Sequence, residues 1–256
     1  MKTRLERILA HLIGRENVSV SELSQLLGVS EVTIRSDLNR LSEQGKVERM
    51  HGGARLAVDR VRQEFTFQKR KSLNSSQKDK IGRAASALIQ SHDAVLFDSS
   101  TTVLALAHAL RDRTDLTNVT VVPTGVWTAI ELMGVDTINV LLPGGYLRHT
   151  SGSITGFQAG DFMNDLLIKK AFLGAWGISS SIGVTDTHLV EIELKKFIVE
   201  RVEEVIVLVD GSKFGQTGLS VYADMSKIST VITDDTAPAG EIEKLRAHGI
   251  TVIVAE

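Results

Sequence analysis

The chain of 256 residues contains no cysteine, which excludes disulfides and thiolate metal sites and suits a reducing cytoplasm. Its seven histidines are scattered without ligand spacing, so neither a metal nor a cofactor is expected. No apolar run approaches the roughly 20 residues that span a bilayer. Residues 1–12 carry Lys2, Arg4, Glu6 and Arg7, and a segment charged throughout cannot act as a signal peptide. Internal repeats and low-complexity tracts are missing as well. These absences lead to the expectation of a soluble, cytoplasmic protein with no membrane partner.

What is present is unevenly distributed. The net charge of −2 conceals 17 Lys and Arg against 10 Asp and Glu in residues 1–83, and 12 against 21 in residues 84–256. A basic head suits a polyanion, and an acidic body is held away from one.

The basic part coincides with a specific pattern in residues 19–54, SVSELSQLLGVSEVTIRSDLNRLSEQGKVERMHGGA. Ser19 with Glu22 three residues on forms a capping box that fixes a helix start, and Leu23, Leu26 and Leu27 give that helix its apolar stripe. Gly28 supplies a left-handed end and Ser30 caps the next helix at once, forcing two short helices to cross steeply. In the second helix Ile34, Leu38 and Leu41 recur at i, i+4 and i+7 and face inward. Val32, Thr33, Ser36, Asn39 and Arg40 then face outward, with Arg35 on the flank.

This is a helix-turn-helix whose second helix reads base edges in the major groove while hydroxyls and cations meet phosphates. Residues 45–54 read as a two-stranded wing, in which Lys46, Arg49 and His51 donate and Gly52 and Gly53 let the backbone approach a phosphate. Leu5, Ile8, Leu9, Leu12 and Ile13 give the first helix of a three-helix winged domain. The competing reading is a small helical bundle that packs on a protein partner.

We place the winged domain at residues 1–56, a linker with one short helix at 57–77, and a second domain at 78–256. In the last, helices are predicted at 81–90, 103–110, 126–133, 157–166, 189–201 and 241–248. Strands are predicted at 94–97, 119–122, 138–142, 170–173, 205–209, 228–233 and 251–254. Short Val, Ile and Leu runs alternating with helices indicate a mostly parallel sheet covered on both faces.

Such sheets bind ligands beyond the carboxyl ends of their strands, and four loops fall there. Asp98-Ser99-Ser100-Thr101-Thr102 precedes a helix, where hydroxyls and free amides suit phosphate, although ordinary helix capping uses the same residues. Gly144-Gly145-Tyr146 permits close backbone approach, or simply turns. Residues 174–177 include Trp176 and Gly177. Asp210-Gly211-Ser212-Lys213-Phe214 brings a cation, which a solvated turn also accommodates.

Taken together, VSEVTIRSDL, HGGA at 51–54, DSSTT, LLPGGYLR, FLGAWGIS and VDGSKFG resemble the DeoR family of bacterial sugar-metabolism regulators over nearly the whole chain. The resemblance implies a C-terminal domain similar to ribose phosphate isomerase that senses a phosphorylated sugar. It also implies a homo-oligomeric repressor, dimer or tetramer, that alters its grip on double-stranded operator DNA. Asp98 and Ser99 to Thr102 would line the phosphate site, Gly144 and Gly145 its floor, and Lys213 an anion clamp, with Thr124 and Glu191 in the same pocket.

Four places depart from the family pattern. Ser36 stands where Arg is common, Ser100 where Gly is usual, and Pro123-Thr124 where a Thr-Asn pair is usual; Trp176 replaces an acidic residue. The indole can stack on a sugar, narrow the pocket or pack in the core. An isomerase-like enzyme with an accessory domain is the alternative, with Glu191 or Glu193 as base, but Trp176 occupies the loop where an acid would support catalysis.

Overall fold

The computed structural model describes residues 4–12, 18–43, 47–50, 52–56, 67–164 and 166–256. It divides into two compact units, Met1–Glu64 and Phe65–Glu256. Lys46, His51, Ile13 and residues 57–66 of the expected linker lie outside the described residues.

The first unit runs α1 (Arg4–Leu12), β1 (Val18–Ser19), α2 (Val20–Leu27), α3 (Glu31–Glu43), β2 (Val47–Met50) and β3 (Gly53–Leu56). Its helix ends follow from capping chemistry. Ser19 Oγ accepts the Glu22 amide at 3.0 Å, satisfying a first-turn donor of α2. Gly28 ends that helix at φ 67, ψ 33, a left-handed conformation that a side chain would strain. The turn is locked by Ser24, whose Oγ donates to Val29 O at 2.6 Å. Ser30 Oγ then accepts the Thr33 amide at 3.3 Å, opening α3.

Ile8, Leu12, Leu23, Ile34, Leu38 and Leu41 are fully buried and form one core with Val18, Val20, Val47 and Ala54. The wing is present as β2 paired antiparallel with β3. An unexpected strand, β1, pairs with β3 and makes the sheet three-stranded. A two-residue strand carries too little alternation to register as a pattern.

The second unit begins with α4 (Phe67–Ser72) and α5 (Ser75–Ser86), followed by β4 (Ala94–Phe97), α6 (Thr101–Arg111), β5 (Val119–Pro123), α7 (Val126–Leu132) and β6 (Ile138–Val140). A small hairpin, β7 (Tyr146–Leu147) and β8 (Ile154–Thr155), leads to α8 (Phe157–Asn164) and β9 (Lys170–Gly174). Next come β10 (Gly177–Ser179), β11 (Gly183–Asp186), α9 (Leu189–Val199), β12 (Glu204–Leu208) and β13 (Ser220–Ala223). The chain closes with β14 (Thr230–Asp234), α10 (Ala239–Ala247) and β15 (Thr251–Ala255).

Seven strands form one sheet in the order β15-β14-β12-β9-β4-β5-β6, parallel throughout. Alternate side chains enter opposite cores, as the two-residue period of a strand requires. Ala171, Leu173, Val205 and Val207 join one core, and Phe172, Ile206 and Leu208 join the other. Phe97 and Phe172 meet edge to face at 5.5 Å in the middle of the second. Both faces are thus buried, which explains the unbroken apolar runs.

The sheet strands agree with those predicted to within a few residues. Residues 67–77, read as linker with one short helix, form α4 and the start of α5. Phe67 is buried in the core beside Ile81 and Val103, so apolar contact orders a stretch whose lysines and arginines suggested solvent. A second sheet, β10-β11-β13, is antiparallel and was not foreseen.

Candidate functional site

On the first unit the outward face of α3 is polar. Ser30, Val32, Arg35, Ser36, Asn39 and Arg40 are exposed and Thr33 is half-buried; Val32 reaches 73 % exposure, an apolar group free to meet a thymine methyl. Arg35 pairs with Glu31 one turn back at 2.7 Å, which sets its direction. Asp37 is buried on the other side, where Arg4 Nε approaches its Oδ2 at 2.5 Å. On the wing Arg49 and Gly52 are exposed. Gly53 differs from expectation: it is buried and paired with both Met50 and Ser19, so it serves the sheet rather than a phosphate.

In the second unit the site follows from strand order. The chain leaves β4 toward β5 on one side while β9 flanks it on the other, so the switch point lies between the carboxyl ends of β4 and β9. Asp98 follows β4 there. Its Oδ1 accepts the Ser100 amide at 2.8 Å and its Oδ2 accepts the Gly174 amide at 2.7 Å. Asp98, expected to line a phosphate, has both oxygens engaged by these bonds and its charge opposed by a lysine.

That lysine is Lys195 on α9. Its Nζ lies 3.0 Å from Asp98 Oδ2 and 2.6 Å from Asp186 Oδ2, and donates to Gly174 O at 2.8 Å. Burial works against the Lys195 charge, but Asp186 and Asp98 outweigh it and hold its pKa well above the ordinary range. The Asp186 carboxyl is held below its ordinary value, burial being overcome by Lys195. Tyr222, buried beneath, donates to Gly174 O at 2.9 Å, and burial pushes its pKa up. Neither Lys195, Asp186 nor Tyr222 was found from the sequence.

Ser100 caps α6, its Oγ accepting the Val103 amide at 3.2 Å, and its side chain fills the space above Gly174. The first-turn amides of Thr101 and Thr102 have no acceptor within the helix, so the Ser100 cap leaves them over. Ser99, Thr101, Thr102 and Thr124 are buried. Thr124 O accepts the Ile154 amide at 2.7 Å, drawing the β7–β8 hairpin over the loop after β5. Gly144 and Gly145 are exposed at the start of that hairpin.

Two other candidates have different tasks. Glu191 Oε1 accepts from Arg148 at 2.6 Å, from Ser151 at 3.0 Å and from Ser153; so tied, it ties α9 to the hairpin and is not a free base. Gly177 is buried, and a side chain there would strike Gln216 O, so it serves packing. Trp176 is half-buried and Lys213 Nζ stands over its ring at 5.5 Å, a cation–π contact. Burial and Arg70 lower the Lys213 pKa against the opposing pull of Asp210 and Asp186. Among the described residues no group of His, Asp and Glu has metal-holding geometry, and no helix is long and apolar enough to cross a membrane.

A capped helix-turn-helix with a wing, followed by an α/β unit with a polar cluster at its switch point, defines a DNA-binding regulator with a ligand-sensing domain. Residues 4–60 match the DeoR-like helix-turn-helix domain and residues 73–235 the DeoR C terminal sensor domain. The chain belongs to the DeoR family, a family of transcriptional regulators rather than enzymes. It is 32 % identical over 248 residues to the HTH-type transcriptional regulator GolR of Listeria innocua, covering 96 % of each chain. It is also 32 % identical over 233 residues to the glycerol-3-phosphate regulon repressor of Escherichia coli, covering 91 % of this chain and 90 % of that one. Among solved structures it is similar to ribose 5-phosphate isomerase A of Methanocaldococcus jannaschii at 18 % identity and TM-score 0.41, covering 55 % of each chain.

Proposed function

We propose that this protein represses a sugar-catabolic operon and loosens its hold on the operator when a phosphorylated sugar enters the C-terminal crevice. The exposed residues of α3, Ser30 through Arg40, would enter the major groove, with Arg49 and Gly52 meeting the backbone. The observation that carries the sensing half is that the α6 N-terminus, whose Thr101 and Thr102 amides have no acceptor within the helix, and Lys213 both follow carboxyl ends of strands in one parallel sheet, β4 and β12. Phosphate at a helix N-terminus beside a lysine is a recurrent solution to anion binding.

In this reading Thr101, Thr102 and Lys213 take the phosphate, Ser99, Ser100 and Thr124 shape its surroundings, and Trp176 packs against the sugar while steering Lys213. Gly144 and Gly145 would face the ligand from the hairpin. Two operator half-sites call for two reading helices in fixed geometry, hence a homo-oligomer, working in the cytoplasm. The glycerol-3-phosphate regulon repressor, named for a phosphorylated three-carbon metabolite, supports a phosphate ester as effector.

The test is a gel-shift titration of an operator fragment across salt concentrations, with and without a panel of phosphorylated sugars. Steeply salt-dependent binding that one phosphorylated sugar relieves, and its unphosphorylated form does not, is the expected result.

A further inference from the structure

Arg70 is the most unusual cation of the second unit. It lies on α4, within the positive run Lys69-Arg70-Lys71, yet its Nε is buried with no hydrogen-bond partner. A buried donor left unsatisfied is costly, and more so on a charged group. Its guanidinium rests against the Phe67 ring, 5.8 Å from the centroid, and its backbone carbonyl accepts from Lys78 Nζ at 2.5 Å.

Carboxylates offset it only at a distance: Asp186 feels the Arg70 charge, as Lys78 and Lys213 feel Asp210. Arg70 lies close enough to Lys213 and Lys78 to disfavour their protonated forms, so three cations share one region. The nearby carboxylates are committed elsewhere. Asp186 is paired with Lys195, and Asp210 Oδ1 accepts from the Ser212 amide at 3.0 Å and from Asn74 at 3.0 Å. Neither Arg70 nor Lys213 forms an ion pair among the described residues. An anion is what this arrangement lacks, and a planar guanidinium beside an ammonium matches a phosphate ester.

We infer that Arg70 binds the anionic group of the effector jointly with Lys213, and that α4 is thereby the element the ligand fixes. The inference rests on the reading of the crevice as a sugar-phosphate site. It adds a ligand residue from a segment far in sequence from every strand-end loop, and gives the effector a hold on the first helix described after the DNA-binding unit. α4 is seated through Phe67 and the bonds of Lys78 to Arg70 O and Leu73 O. Phe67 stacks on Trp127 at 5.7 Å and its amide donates to Thr150 O at 3.0 Å.

The experiment uses the full chain as wild type, Arg70→Gln, Arg70→Lys and Lys213→Gln, with inorganic phosphate and ribose 5-phosphate as probes and ribose as control. Melting temperature against probe concentration reads binding, hydrogen exchange of the 67–72 amides reads the state of α4, and the unliganded melting temperature of each variant checks its fold. The expected result is a rise with both phosphates and none with ribose. Affinity should be roughly 10- to 100-fold weaker in Arg70→Gln and partly kept in Arg70→Lys, whose charge also serves if the glutamine variant folds poorly. Phosphate should slow α4 exchange in wild type. If Arg70→Gln binds phosphate as wild type does while Lys213→Gln does not, the role of Arg70 is overturned and the sensing site stands. If no phosphate shifts wild type, the anion site itself is overturned.

Discussion

Asp98 Oδ2 accepts the Gly174 amide at 2.7 Å, a bond that joins the ends of β4 and β9 where the sheet order reverses. It holds two loops at a fixed separation, and the space between them is filled by Ser100. A Cβ on residue 174 would stand 2.4 Å from Ser100 Oγ and 2.5 Å from Ser100 Cβ. Gly174→Ala should therefore lose about 1–3 kcal/mol, the usual penalty of overpacking. Ser100→Gly, which supplies the residue usual in the family, should restore most of it, since Gly caps a helix nearly as well as Ser. Urea denaturation of the two single variants and the double variant reads this directly, and a double variant no more stable than Gly174→Ala would show that crowding is not the cause.

Lys195 stands between Asp98 and Asp186, with Lys195 and Asp98 buried and Asp186 partly buried. Lys195→Met leaves two carboxylates facing each other in the interior and should cost about 3–5 kcal/mol. Asp186 also fixes the sign at low pH. Its folded pKa is depressed, so its pairing stabilises the fold above its unfolded pKa of about 4 and is lost as pH falls through the lowered folded value. Wild type should lose stability in that acid range, and Lys195→Met should show little of this loss; matching acid profiles would sink the assignment.

Lys78 makes the opposite kind of prediction. Burial, with the charges of Lys213 and Arg70, brings its pKa down to about 8 despite the opposing pull of Asp210. Below that value both folded and unfolded states carry the proton and the fold bears the full penalty of the buried charge. Between about 8 and the ordinary 10.4 the unfolded chain binds more protons, so this group's contribution to stability improves as pH rises. An anion bound beside it should raise its pKa, so phosphate binding near pH 8 should take up a proton. Calorimetry in buffers of different ionisation enthalpy detects that uptake, and its absence would place the anion elsewhere.

The reading helix yields a separable prediction. Arg40→Ala removes an exposed cation of α3 and should weaken operator binding while lowering the salt slope by about 1 if it meets a phosphate. Arg35→Ala should weaken binding too, with a small further effect from loss of its Glu31 pair, worth about 0.3–0.5 kcal/mol. Neither should change phosphate affinity. Fluorescence anisotropy with labelled operator separates the two readouts, and unchanged DNA affinity in both variants would mean that another face reads DNA.

How much of this was legible in the sequence depends on the kind of contact. Ser19, Gly28 and Ser30 act on neighbours within a few positions, so their roles show in local spacing. The β-strand runs from Ala94 to Ala255 are apolar on both faces and announce a covered parallel sheet. The antiparallel sheet of β10, β11 and β13 did not show, because its strands have three or four residues and the third is far along the chain from the first two. Lys195 stayed hidden for a different reason. Lys195-Lys196 on an amphipathic helix looks like solvated surface, and only the fold brings Asp98 and Asp186 to one of the two ammonium groups. Glu191 misled in the same way, since the Arg148, Ser151 and Ser153 that occupy it are about 40 positions away. Arg70 sat in a basic run that composition assigned to a linker, and its burial depends on the seating of Phe67.

The central claim is that occupancy of the crevice by a phosphorylated sugar governs release of DNA. Its most direct measurement is the amount of operator, selected from a random duplex pool, retained by wild type and by Lys213→Ala as phosphorylated sugars are titrated in at constant salt. The account predicts that one phosphorylated sugar releases operator from wild type while its unphosphorylated form does not. Lys213→Ala should bind DNA as tightly but need roughly tenfold more of that sugar, about 1.4 kcal/mol of lost affinity. Release of both proteins at the same concentration, or by the sugar with and without its phosphate alike, would contradict it.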